Sequence, residues 1–260
     1  MNKQPAFTFR PFADVGTTEP FVARLALGLA ELLDGTLYQN KEEIKESILR
    51  SCLECLIPAF VSLRELRKIA DKPDAPLLNK TKHFDDMCKS LWSVYKDRMQ
   101  GSAKLMGYGI GFAFDTDSKF EQGCVDFLQA HPEVSPILTA ELKNRRATWQ
   151  KELSRFRNEH LEHQTIKRED VAAFYSLQRA ELLFHSVCLA IEETLVILIA
   201  AKLPSGVILR EIPENQRNPA CPKRFGWAWA QQPQRRVAQV PVFGAWVLGL
   251  SFFRFLIPDR

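Results

Sequence analysis

The sequence predicts an all-α protein, an up-and-down helical bundle of about five or six helices followed by an irregular extension. Three observations carry that reading. Apolar residues recur at helical spacing along several long runs, as in Phe84, Met87, Leu91 and Tyr95. The runs are separated by residues that stop helices, such as Gly35, the DKPDAP connector at 71–76, His131-Pro132, and Pro204 with Gly206. The alternation expected of strands is weak throughout this part of the chain.

Taken in order, residues 1–17 have no periodicity and read as an irregular lead-in. Pro20 suits a first helical turn, where its missing N–H costs nothing, and FVARLALGLAELLD continues to Gly35. A second helix starts near Asn40, with Glu42 and Glu43 at the positive end of its dipole, and runs on to Asp71. Pro58 must kink or split it, because proline removes a backbone donor and crowds the preceding turn. A third helix covers HFDDMCKSLWSVYKDRM, and the glycine-rich GYGIGFAFDTDS reads as a loop or short extended piece. That piece lacks the G-x-G-x-x-G spacing of a phosphate cradle. A short helix follows from Asp117 to Ala130. Ser135-Pro136 opens the next, which is expected to run to about Gln164. After the polar break TIKRED, Asp170 is placed to cap a last, very apolar helix ending before Pro204.

The helical part is thus expected over 1–206 and the extension over 207–260. The extension opens with the proline-rich EIPENQRNPACPKRF, read as an extended strap, and ends in an aromatic-rich tail. From Val237 to Phe253 only Gln239 is strongly polar. That run is short for a membrane span, and Pro241, Gly244 and Gly249 weaken it as a helix, so it is expected to cover the bundle or a partner, with a tail anchor as the alternative.

With 46% apolar and 25% charged residues, the 260-residue chain has an ordinary globular composition, which excludes disorder of the whole. A net charge of +4 permits contact with nucleic acid without demanding it. Six scattered cysteines and a start, MNKQPAFTFRPF, without a continuous apolar stretch lead to the expectation of a reducing cytoplasm.

The chemically loaded segment is Arg157-Asn158-Glu159-His160-Leu161-Glu162-His163. At about 100° per residue, Trp149, Leu153, Phe156 and His160 fall on one side of Arg157, and His163 lies at about −120°, the edge of that apolar face. Lys151, Ser154, Arg155, Asn158, Glu159 and Glu162 fill the opposite arc. A cation and two imidazoles on an apolar face need partners, because buried charge is costly without them. Histidine moves protons near neutral pH and arginine holds phosphate with paired donors. Arg157, Asn158, His160 and His163 are therefore the candidate catalytic set, able in principle to cleave a phosphodiester without metal or cofactor. The structural alternative is a set of interior polar residues hydrogen-bonded within the bundle.

RNEHLEH resembles the arginine–polar–spacer–histidine motif of the HEPN superfamily, in which four to six residues separate the two; Arg157 and His163 have five between them. It is especially similar to the R-N-x-H-[IL]-A-H form of abortive-infection-type members, departing at Glu162, where that form has alanine. Arg155 with His160 also satisfies the loose spacing, but Arg155 falls on the polar face. The resemblance covers about residues 80–205, with its specific part confined to the seven. It implies a helical homodimer whose paired motifs form one RNA cleft. It further implies a metal-independent endoribonuclease of a toxin–antitoxin or phage-defence system, with an antitoxin or other protein as partner. Other members have lost activity and bind RNA, nucleotides or proteins, so the alternative is a catalytically silent binding module.

Three further features have structural readings. Cys52-x-x-Cys55 lies in an apolar helical run without a second pair at zinc spacing, and reads as core. Glu192, in the most apolar helix, needs a partner, with Arg157 or His185 as candidates. Lys143, Arg145 and Arg146 form a basic patch able to meet RNA phosphates or to stand as a solvated face.

Overall fold

The computed structural model describes residues 20–70, 72, 77–158, 175–219 and 221–229. They are mostly helical, in six helical runs followed by one small antiparallel sheet. Run one is α1 (Pro20–Asp34). Run two joins α2 (Lys41–Ser51) to α3 (Ile57–Ala70), and run three joins α4 (Leu77–Trp92) to α5 (Met99–Leu105). Helix α6 (Asp117–Ala130) follows a 3₁₀ turn at Gly111–Phe114, then α7 (Ile137–Arg145) joins α8 (Lys151–Phe156), and α9 (Leu177–Ala200) is last.

Each of the three long runs is joined by a π turn, at Cys52–Leu56, Ser93–Arg98 and Arg146–Gln150. The first explains how Pro58 is tolerated without a break. Proline cannot donate to the carbonyl four residues back, and a wider turn just before it relieves the clash. The chain therefore stays helical from Lys41 to Ala70.

Helix α9 is the axis of the core. Every residue from Thr194 to Ile199 is buried, as a helix apolar on all sides must be. It packs against α1, α3, α4, α5 and α7. Among the described residues it is also the one helix long and apolar enough to cross a membrane, but 72% of its most apolar stretch is buried inside the protein. Its cap is Ser176, whose Oγ accepts from the Arg179 backbone N–H at 3.2 Å; Asp170, the cap expected from the sequence, lies outside the described residues. Cys52 and Cys55 are both buried, and desolvation pushes the Cys52 thiol up to about 12, which keeps it protonated and inert.

Where the sequence reading expected an irregular strap from residue 207, the chain forms a hairpin of β1 (Val207–Glu211) and β2 (Phe225–Trp229), with Leu209 opposite Trp227. Its inner residues seat on α1: Phe225 is buried and the Trp227 ring lies over Gly35. The apolar tail, residues 237–257, lies outside the described residues.

Candidate functional site

Two charge clusters surround the α7–α8 run, and they divide the residues that the sequence grouped as one basic patch. Arg145, 4% exposed, donates to Thr194 Oγ1 at 2.6 Å and to Glu193 at 3.2 Å. Arg146 points elsewhere. Its Nη1 donates to the Ala113 carbonyl at 3.1 Å, its Nη2 to the Asp115 carbonyl at 2.6 Å and to Asp117 at 2.8 Å. Lys143 pairs with Glu121 on α6. Arg145 and Arg146 are thus buried and spent on holding protein elements together, while Lys143 stays exposed in a surface pair.

Glu192 finds neither Arg157 nor His185. Its partner is Arg24 of α1, at 2.8 Å, with Arg224 of the hairpin at 3.8 Å. Burial holds the Glu192 carboxyl above the usual carboxylate range despite both arginines. Arg224 also reaches Glu193 at 3.0 Å and Glu211 at 2.9 Å, so one network ties α1, α7, α9 and the hairpin.

The candidate site lies beside Arg146. An open pocket of about 330 Å³ is lined by Trp92, Phe114, Asp115, Arg146, Gln150, Lys151, Ser154, Arg155 and Asn158. Three stretches of sequence build it. The π turn Arg146–Gln150 supplies the floor: Gln150 donates to the Ala113 carbonyl at 2.7 Å and accepts from the Tyr95 hydroxyl at 2.9 Å. Burial pushes the Tyr95 hydroxyl up to about 12, so it stays a donor and fixes which way the Gln150 amide points. Helix α8 supplies the rim. Gln150, Ser154 and Asn158 recur every four residues, as do Lys151 and Arg155, and so share one face. The 3₁₀ turn supplies the wall, where the half-buried Phe114 stands edge-on to Trp92 at 6.1 Å and to Tyr95 at 5.2 Å.

The electrostatics are mixed. Lys151 meets Asp117 at 2.9 Å. Arg146 and then Lys151 hold the Asp117 carboxyl below the usual carboxylate range. The exposed Asp115 carboxylate, the Ser154 hydroxyl and the exposed Asn158 amide make no hydrogen bond to another described residue. The pocket thus offers a carboxylate acceptor, an amide and a hydroxyl between two cations.

Of the four predicted catalytic residues, Arg157 and Asn158 are described and His160 and His163 lie outside the described residues. Leu153 and Phe156 are buried and Arg157 is half-buried, in keeping with the apolar face read from the sequence; Asn158 is exposed and lines the pocket. Phe156 is fixed against Phe84 at 5.5 Å, and Tyr175, where the described chain resumes, packs on both rings. Sequence reasoning missed Asp115, Gln150, Trp92 and Phe114. The rim was visible as the polar arc of α8, but it read as solvated surface because its opposite wall comes from residues 92 and 113–115.

The fold and the site together define a mostly helical protein with a solvent-open, cation-rimmed pocket that Asn158 lines. Compared with protein-family models, with curated proteins and with solved structures, the chain finds no match in any of the three. No group of three metal-binding side chains occurs among the described residues.

Proposed function

We propose that the protein is an HEPN-like, RNA-binding, metal-independent endoribonuclease of a cytoplasmic toxin–antitoxin or phage-defence system, acting as a homodimer. The observation that carries the reading is the position of Asn158. The polar residue of the motif lines a pocket whose rim holds Lys151 and Arg155, so an RNA phosphate seated there meets two cations next to the motif, one residue along the chain from Arg157. In the reaction, one imidazole of His160 or His163 takes the proton of the ribose 2′-hydroxyl. The 2′ oxygen forms a bond to the adjacent phosphorus, the bond from phosphorus to the 5′ oxygen breaks, and a protonated imidazole returns a proton to that leaving oxygen. Arg157 steadies the charge on the phosphate, and Asn158 orients it.

A specific observation favours a second reading, a binding module without turnover: Asp115, Ser154 and Asn158 line the pocket with hydrogen-bonding groups that no described residue uses. One experiment separates the two. The purified chain and its His163→Ala variant are incubated with single-stranded RNA in chelator. Cleavage by the parent and its loss in the variant support the nuclease; equal cleavage by both, or cleavage by neither, overturns it. Binding without cleavage, surviving Arg157→Ala and His163→Ala, establishes the module.

A further inference from the structure

We propose that the pocket on α8 is a base-reading subsite that takes one unpaired guanine. The inference deepens the RNA-binding reading, on which it rests for the strand that delivers the base, but the pocket's preference is tested without that strand.

Size comes first. A volume of about 330 Å³ lies at the lower end of small-molecule sites, enough for one nucleotide and too small for a stacked pair. Shape comes next. Phe114 presents a half-buried ring held edge-on by Trp92 and Tyr95, a rigid apolar wall of the kind on which splayed RNA bases rest.

The polar groups then discriminate among bases. Arg146 and Gln150 line the pocket, yet their described hydrogen bonds run to main-chain carbonyls, to Asp117 and to Tyr95. They shape the floor. Recognition falls to Asp115, Ser154 and Asn158, whose side chains have no hydrogen-bond partner among the described residues. An ionised carboxylate only accepts. Guanine is the base whose pairing edge carries two adjacent donors, the ring N1–H and the exocyclic amine, with a carbonyl oxygen beside them. Asp115 accepts from both donors, and the Asn158 amide or Ser154 hydroxyl donates to the carbonyl. Adenine and cytosine each show the carboxylate one donor group next to an acceptor, and uracil shows one donor between two acceptors. In each of those cases an acceptor is set against Asp115. Lys151 and Arg155 at the rim face the sugar–phosphate backbone and carry no base information.

The test uses the full chain carrying His163→Ala, so that binding is read without cleavage. Its probes are 5′-GMP, 5′-AMP and 5′-UMP, and single-stranded uridine 12-mers with one central guanosine, inosine, adenosine or uridine. The inference expects GMP and the guanosine oligonucleotide to bind about tenfold more tightly than the others, the discrimination of one two-pronged base contact. Inosine, which lacks the exocyclic amine, is expected to lose most of that gain. Asp115→Asn, a conservative change at an exposed position, is expected to abolish the preference while leaving the thermal unfolding midpoint in place.

GMP bound selectively with no oligonucleotide bound supports the guanine pocket and overturns the RNA reading. Oligonucleotides bound with no preference among the four, and GMP no better than UMP, overturn the guanine pocket and leave the RNA reading standing. A guanine preference unchanged in Asp115→Asn also overturns it.

Discussion

Arg145 and Arg146 are neighbours in the chain and anchor two different kinds of cluster. Arg145 enters a closed network in which Arg24, Arg145 and Arg224 face Glu192, Glu193 and Glu211 across four elements. Arg146 enters an open one. Its own donors are spent on carbonyls and Asp117, but around it Asp115, Ser154 and Asn158 keep donor and acceptor capacity that faces water. Both clusters read alike in a sequence, as basic and acidic residues on helices. What separates them is how far the charged groups are paired and buried. Buried, paired charges fix how elements meet; unspent groups at a solvent-open pocket are free to recognise something else.

The sharpest way to break this comparison is to damage the closed cluster and watch the open one. Glu192→Leu leaves the Arg24 guanidinium, whose side chain is 9% exposed, without its carboxylate. Removing one partner of a buried pair is expected to cost about 3–5 kcal/mol, read by urea unfolding. Replacing both, Arg24→Met with Glu192→Leu, is expected to recover most of that. Nucleotide binding by the folded fraction should stay at the parent value. A loss below about 1 kcal/mol would show that the network does not hold α1 to α9.

Arg146→Met is the second test, with a different signature. Arg146 is as deeply placed, also lies over the Phe120 ring at 4.7 Å, and joins the 3₁₀ turn to α8. Its loss leaves two main-chain carbonyls with fewer donors, and an expected cost of about 2–4 kcal/mol follows. Here nucleotide binding is expected to fall with stability, because the floor and the wall lose their common tie. If binding survived intact, Arg146 would belong with the closed cluster and the pocket would rest on α8 alone.

How much of this was legible in the chain differs between the same two regions. The helical runs were, because apolar spacing and proline or glycine stops are local signals: α6 begins and ends where Asp117 and His131-Pro132 place it. The apolar placement of Arg157 was legible too, since it follows from angles along one helix. The partner of Glu192 was not. Arg24 lies 168 residues away, and helix geometry ranks only neighbours on the same rod. The hairpin was hidden for a related reason. Strands of five residues are joined by a long loop with Pro213, Pro219 and Pro222, so no short turn marks them. The pocket needed both kinds of information: its rim is periodic, but its wall is set by tertiary packing of Phe114.

Gly35→Ala probes how firmly the hairpin seats Arg224 in the closed cluster. A methyl group there would meet the Trp227 ring at 3.0 Å. That ring is 42% exposed and has room to give, so the expected cost is about 1 kcal/mol. Fluorescence of the hairpin tryptophans should shift, and nucleotide binding should not. A change in binding would show that the two clusters communicate through α1 and α9.

The smallest change in stability is expected from Asp117→Asn, and it tests the open cluster most directly. Asp117 is highly exposed, and its carboxyl lies below the usual range because Arg146 and Lys151 sit beside it. A depressed folded value means that the folded state gives up this proton more readily than the unfolded one. The stabilisation is therefore present above the ordinary carboxylate pKa and is lost as pH falls through the lower folded value. The variant should show a slightly shallower acid limb in thermal unfolding below about pH 4 and little change at neutral pH. Binding should move the other way. With Asp117 neutral, Lys151 at the rim no longer faces an anion at 2.9 Å, so its charge is more available to a phosphate. Oligonucleotide affinity is expected to rise modestly and to fall more steeply with salt, by up to about one counterion in the slope. GMP over UMP selectivity should not change, because the rim carries charge and Asp115 carries the choice of base. A rise in affinity accompanied by lost selectivity would place base reading on Lys151, and so remove the division of labour between rim and wall.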